Sequence, residues 1–192
     1  MSKGRQKGGV NHRASKGDSP AKSATSAISA GDPRSKDESK GSAQQGSRHR
    51  SREFALQGLY QWFLAGTAPA TIRAQLSEAG GFARCDAAFF DRVWQGVTGE
   101  YTTLVAAFAP YLDRAPEQLS AIERAALTIG AWELLRQPDI PYRVAINEAV
   151  ELAKAYGGTD GHKYVNGVLD KTAADLRASE VAARRASRTT AG

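Results

Sequence analysis

The run Pro141–Asp170, PYRVAINEAVELAKAYGGTDGHKYVNGVLD, constrains this chain more than any other stretch. Pro141 suits a first helical turn, where its fixed φ fits and its missing N–H is no loss. Ala145, Ala149, Leu152 and Tyr156 recur at helical spacing, and Ile146, Val150 and Ala153 widen the apolar face. Gly157 and Gly158 then interrupt the pattern and are expected to supply the positive φ of a helix C-cap. Thr159 or Asp160 can cap the next helix, whose stripe is Val165, Val168, Leu169 and Thr172. Asn166-Gly167 is ordinarily a hairpin signal, but helical periodicity on both sides overrides it. The run is helix, glycine break, helix.

The same periodicity recurs upstream. Leu56, Leu59, Tyr60 and Phe63 mark a helix from about Arg48 that ends at Gly66. Pro69–Ala79 carries Ile72 and Leu76 and stops at Gly80-Gly81. Phe90, Val93, Trp94, Val97, Tyr101, Leu104 and Phe108 read as one long helix, capped by Asp86 and closed by Pro110. Gly96 and Gly99 inside it cost up to ~1 kcal/mol each relative to Ala and suit close helix approach. Ser120 and Glu123 form a capping box that opens a helix bearing Ile122, Ala126, Ile129, Trp132 and Leu135, closed by Gln137-Pro138-Asp139. About six to seven helices and no strand emerge. Short connections predict mostly antiparallel neighbours. The expected fold is therefore an all-α compact bundle.

Charge divides the chain into three parts. Residues 1–47 hold nine Lys/Arg against four Asp/Glu, residues 179–192 three Arg against one Glu, and residues 48–178 are close to neutral. The net charge of +6 therefore belongs to the ends, and basicity alone does not mark the central part as a nucleic-acid binder. Residues 1–47 lack aromatics and read as a disordered basic tail, unable to offset ordering entropy by burial. Residues 179–192 read as a flexible C-terminal tail. The single Cys85 excludes an internal disulfide framework and fits a reducing cytoplasm. The longest apolar-looking run, Tyr101–Leu112, is far short of the ~20 residues of a membrane span, and no secretory signal opens the chain. A cytoplasmic protein without a membrane partner is expected.

No catalytic pattern stands out. There is no GxxxxGK[ST], HExxH or GxSxG, His162 has no evident metal-ligand partners, and Cys85 has no base near it in sequence. No catalytic residue, metal or cofactor is expected. Two clusters instead suggest binding. Arg48, His49, Arg50 and Arg52 crowd the start of a helix, where cations oppose the macrodipole. Either they await a negatively charged partner or they continue the basic tail. Arg50, Gln57 and Gln61 share an outward stripe. His162, Lys163, Tyr164 and Asn166 gather after the glycine break. There Lys can meet phosphate, Tyr can stack on a base and Asn can read a base edge; alternatively, Tyr164 belongs to the core and the others face water.

VAINEAVELAK followed by HKYVNGVLDK resembles the C-terminal signature of the NusB family of bacterial transcription antitermination factors, and the similarity extends over roughly residues 48–178. The resemblance implies two packed three-helix subbundles and an RNA-binding role without catalysis, in rRNA operon transcription. The implied partners are boxA-type single-stranded RNA, the ribosomal protein NusE and an antitermination complex with RNA polymerase, with homodimerisation an option when partners are absent. It implies RNA contacts from Arg48, Arg50 and Arg52, from Gln57 and Tyr60 in the motif QxLY, and from Asp160, His162, Lys163, Tyr164 and Asn166. His49 departs from the family's arginine run. Glu133, in AWEL, is the acidic position the resemblance assigns to NusE. Two other readings are a helical protein-interaction adaptor that binds no RNA, and an accessory RNA-binding domain like that of rRNA cytosine methyltransferases. This chain has neither the length nor a glycine-rich cofactor loop for such an enzyme's catalytic domain.

Overall fold

The computed structural model describes residues 33–190, with side chains from 43 to 187. Eight α-helices make up the described residues, with three short 3-10 turns and no strand. They are α1 (Pro33–Ala65), α2 (Pro69–Glu78), α3 (Ala87–Gly99), α4 (Tyr101–Phe108), α5 (Ala121–Arg136), α6 (Tyr142–Tyr156), α7 (Gly161–Leu176) and α8 (Ala178–Thr190). α1 packs on α2 and α3 along one side and on α5 along another, while α5, α6 and α7 form the second group.

α5 is the central element. Every residue from Ala125 to Leu134 is buried, as expected of a helix enclosed on all sides. Gly96 and Gly130 let neighbours close on it. A Cβ on Gly96 would collide with the Trp132 indole, and one on Gly130 would lie 2.6 Å from a Leu169 methyl. The expected closeness at Gly96 is real, whereas Gly99 has open space beside it. The Ser120–Glu123 capping box forms as read, with Glu123 N–H donating to Ser120 Oγ at 3.2 Å and Ser120 N–H donating to Glu123 Oε2 at 3.1 Å.

Several local expectations change. α1 begins at Pro33, not at Arg48, so residues 33–47 continue the helix; the remainder of the expected tail, residues 1–32, lies outside the described residues. The pattern from Phe90 to Phe108 is two helices, because the chain leaves helical geometry at Glu100 (φ −111°, ψ 17°). Gly157 has φ −96° and ψ −174°, not a positive φ. Glycine is required there for space, since a Cβ would sit 2.5 Å from the Ala153 carbonyl oxygen. Asp160 precedes α7 without a side-chain capping bond.

The C-terminal segment is helical rather than a loose tail. Val181 is buried, and the Glu180 carboxylate accepts from Tyr142 N–H at 3.0 Å at the start of α6. Just before α8, Arg177 donates to the carbonyls of Leu134 (2.6 Å) and Gln137 (2.8 Å) at the end of α5. A guanidinium there satisfies otherwise unpaired carbonyls and complements the macrodipole.

Candidate nucleic-acid interface

Helical phase sorts the arginine cluster of α1. Arg52 lies two residues beyond Arg50, about 200° around the axis, so the two face opposite ways. Arg50 remains partly exposed, with no carboxylate in ion-pair reach among the described residues. Arg52 points inward and is 3 % exposed. Its Nε and Nη2 donate to Glu133 at 2.5 and 3.1 Å, and its Nη1 lies 3.3 Å from Glu148. His49 reaches the same Glu148 carboxylate at 2.7 Å. Arg48 is intermediate: its guanidinium lies 3.5 Å from Asp86 and over the Phe89 ring.

Two sequence expectations are corrected by this network. Arg52 is not a surface contact for phosphate, because its donors are committed inside the protein. Glu133, assigned to a basic partner at the surface, is 0 % exposed and cannot present charge there. Burial pushes its carboxyl above the ordinary range, with Arg52 opposing the shift. The pair instead ties α1 to α5, and Glu148 extends the tie to α6.

Beyond Arg50 the outward stripe of α1 carries Glu53, Gln57 and Tyr60, the last 43 % exposed. Gln61 donates to Gln75 of α2 at 3.0 Å. Tyr156, at the end of α6, donates its hydroxyl to Glu53 at 2.9 Å. That bond sets the C-terminal end of α6 beside α1, at a position between Arg50 and Gln57 in sequence. Tyr156 reads in sequence as part of the apolar face, yet it is 42 % exposed.

At the start of α7, Lys163 and Asp160 form an exposed ion pair at 2.8 Å, of a kind worth little in water. His162 is partly exposed. Tyr164 is neither a free platform nor a plain core residue. Its ring packs against the core, Arg114 lies over it at 5.1 Å, and its hydroxyl donates to Asp113 at 2.9 Å. Arg114 and the Tyr164 hydroxyl hold the Asp113 carboxyl down to about 2. Asn166 donates to Asp170 at 2.9 Å and faces α6 rather than the break.

Sequence reasoning missed Glu53, Glu148 and Tyr156. Glu148 carried a usable signal, being a carboxylate beside Ala149 on the apolar side of α6; a charge there needs a partner. Among the described residues no group of three or more His, Cys, Asp or Glu is arranged to hold a metal, and no helix is long and apolar enough to cross a membrane.

These features define an all-α bundle whose longest helix is anchored by a buried ion pair and presents a polar stripe beside a glycine break. The NusB family profile matches residues 49–174. The transcription antitermination protein NusB of Ralstonia pickettii is 58 % identical over 138 residues, covering 72 % of this chain and 89 % of that protein. The NusB protein of Burkholderia ambifaria is 55 % identical, with 72 % and 95 % covered. Among solved structures, T. maritima NusB superposes with TM-score 0.58 at 31 % identity, covering 66 % of this chain and 89 % of that one. A second, of antitermination factors NusB and NusE in complex with double-stranded RNA, has TM-score 0.58 at 23 % identity, with 66 % and 96 % covered. The chain belongs to the NusB family.

Proposed function

We propose that this chain is a non-catalytic RNA-binding transcription antitermination factor that binds boxA-type single-stranded RNA together with ribosomal protein NusE. Its setting is an antitermination complex with RNA polymerase on rRNA operons. The observation that supports this reading is the Tyr156–Glu53 hydrogen bond, which brings the end of α6, five residues before the start of α7, against the polar stripe of α1. Arg50 and Lys163 supply cations for phosphates, Gln57 supplies an amide for base edges, and Tyr60 offers an exposed ring. Asp160 holds Lys163 in the free protein and yields it to a phosphate. His162 borders the same break, Arg48 adds charge near its edge, and Tyr164 supports the start of α7 with its ring against the core. Arg52 and Glu133 work beneath this face by fixing α1. Partner recognition by NusE then falls to groups other than the buried Glu133.

The similarity to NusB of T. maritima and the curated relatives supports this reading. Because the related complex contains double-stranded RNA, the test compares boxA-type RNA as single strand and as duplex, each with and without NusE. Fluorescence anisotropy on the full chain should show preferential binding of the single strand, strengthened by NusE. Binding of NusE without any RNA affinity would replace this reading with the protein-interaction adaptor.

A further inference from the structure

A second polar groove lies between α6 and α7 and runs to α8. Asn166, expected beside Tyr164 and Lys163, opens into it. Two adjoining cavities of about 230 and 270 Å³ share Arg143 and Asp170. The first is lined also by Asn147 of α6 and Asn166 of α7, the second by Arg184 of α8. Arg143, Asn147 and Arg184 are exposed. The one carboxylate, Asp170, accepts from Asn166 at 2.9 Å, so part of its charge is already engaged. α6 and α7 are joined by the glycine break, so the groove leads away from the Lys163 end of the proposed RNA face. α8 lies beyond the residues 49–174 that the family profile matches, and it contributes Arg184 to the second cavity.

We infer that the α6–α8 groove is a second binding site for single-stranded RNA, taking the strand that continues past the primary site. The amides of the first cavity match base edges, while Arg143, shared by both cavities, and Arg184 of the second match phosphates. An acidic peptide would satisfy Arg143 and Arg184 but make no use of the exposed Asn147 amide or of the Asn166 carbonyl oxygen, which base edges can pair. The strand is therefore the better occupant. The inference extends the proposed function yet is separable from it, because Arg143 and Arg184 are not in the primary site.

The test uses the full chain and two RNAs: a short boxA-type strand and the same strand lengthened at either end by about ten nucleotides, within the ~4–16 nucleotide range of single-strand-binding folds. Anisotropy titrations compare wild type with Arg143→Ala, Arg184→Ala and Arg184→Glu, with circular dichroism confirming helicity. The wild-type protein should bind the longer RNA several-fold more tightly. Each alanine variant should lose most of that gain, keep short-RNA affinity, and reduce the magnitude of the salt slope on the longer RNA by roughly 0.7 per lost phosphate contact. Arg184→Glu should lose more. No gain with length, or a gain that the variants retain, would overturn the groove as an RNA site. So would equal loss on short and long RNA, which would make the arginines part of the primary site. Arg143- and Arg184-dependent binding of poly-glutamate, without such dependence for RNA, would assign the groove to an acidic protein segment. If the short RNA fails to bind wild type while the long one binds in an arginine-dependent way, the groove stands and the α1 face falls.

Discussion

Arg52 and Glu133 form a buried bidentate ion pair, 2.5 and 3.1 Å across its two hydrogen bonds, that joins α1 to the central helix α5. Removing Arg52 leaves Glu133 as a buried carboxylate without its cation, and removing Glu133 leaves Arg52 with Glu148 alone, 3.3 Å from its Nη1. Glu133→Ala should destabilise the fold by roughly 3–5 kcal/mol, read from urea unfolding, and Glu133→Lys should be worse because it opposes Arg52. Replacing both residues by leucine should recover most of the loss. A folded Glu133→Lys protein with wild-type stability would contradict the buried pairing.

Gly157 and Gly158 are adjacent but not equivalent. A Cβ at Gly157 would lie 2.5 Å from the Ala153 carbonyl oxygen, whereas nothing approaches within 4 Å at Gly158, and neither has a positive φ. Gly157→Ala should cost about 1–3 kcal/mol, as overpacking does, and Gly158→Ala should be nearly neutral. Thermal unfolding of the two variants checks this; equal losses would restore a shared conformational demand for glycine.

Arg114 and the Tyr164 hydroxyl together hold the Asp113 carboxyl down to about 2, below its ordinary 3.8. A depressed carboxylate contributes stability that is present above its unfolded pKa and is lost as pH falls through its folded one. The relevant window thus lies between 3.8 and about 2. Tyr164→Phe removes one of three side-chain donor groups, so the Asp113 midpoint should move up part of the way, with the two Arg114 donors holding the remainder. A carbon-detected NMR titration of Asp113 gives the answer directly, and an unmoved midpoint would show that the phenol is not its partner.

The regular parts of this architecture were readable because they are local. The Ser120–Glu123 box, the Gly66 stop (φ 64°) and the helical run through Asn166-Gly167 each follow from spacing within a few residues. The polar network was not. Arg52 and Glu133 are 81 residues apart, and a run of arginines at a helix start looks uniformly exposed until the phase of the helix is tied to a packed neighbour. Tyr156 was misplaced for a related reason: it continues the apolar spacing of α6, but the chain turns there and leaves its ring at the edge. Glu148 and Glu133, carboxylates in stretches that otherwise bury, were the clues that a buried cation had to exist. The C-terminal helix escaped notice because its composition is that of a solvated tail and its anchors, Arg177 and Glu180, act on distant backbone groups.

The outward stripe of α1 and the start of α7 are proposed to form one RNA-binding face. The most direct measurement is an anisotropy titration of boxA-type and scrambled single-stranded RNA against wild type, Arg50→Ala, Gln57→Ala and Lys163→Ala. None of these side chains is buried, so all three variants should keep wild-type thermal unfolding. Arg50→Ala and Lys163→Ala should weaken binding to both RNAs, Gln57→Ala should chiefly reduce discrimination between them, and combining Arg50→Ala with Lys163→Ala should lower boxA affinity further than either alone. Three folded variants that bind boxA-type RNA as tightly and as selectively as the wild-type protein would contradict such a face.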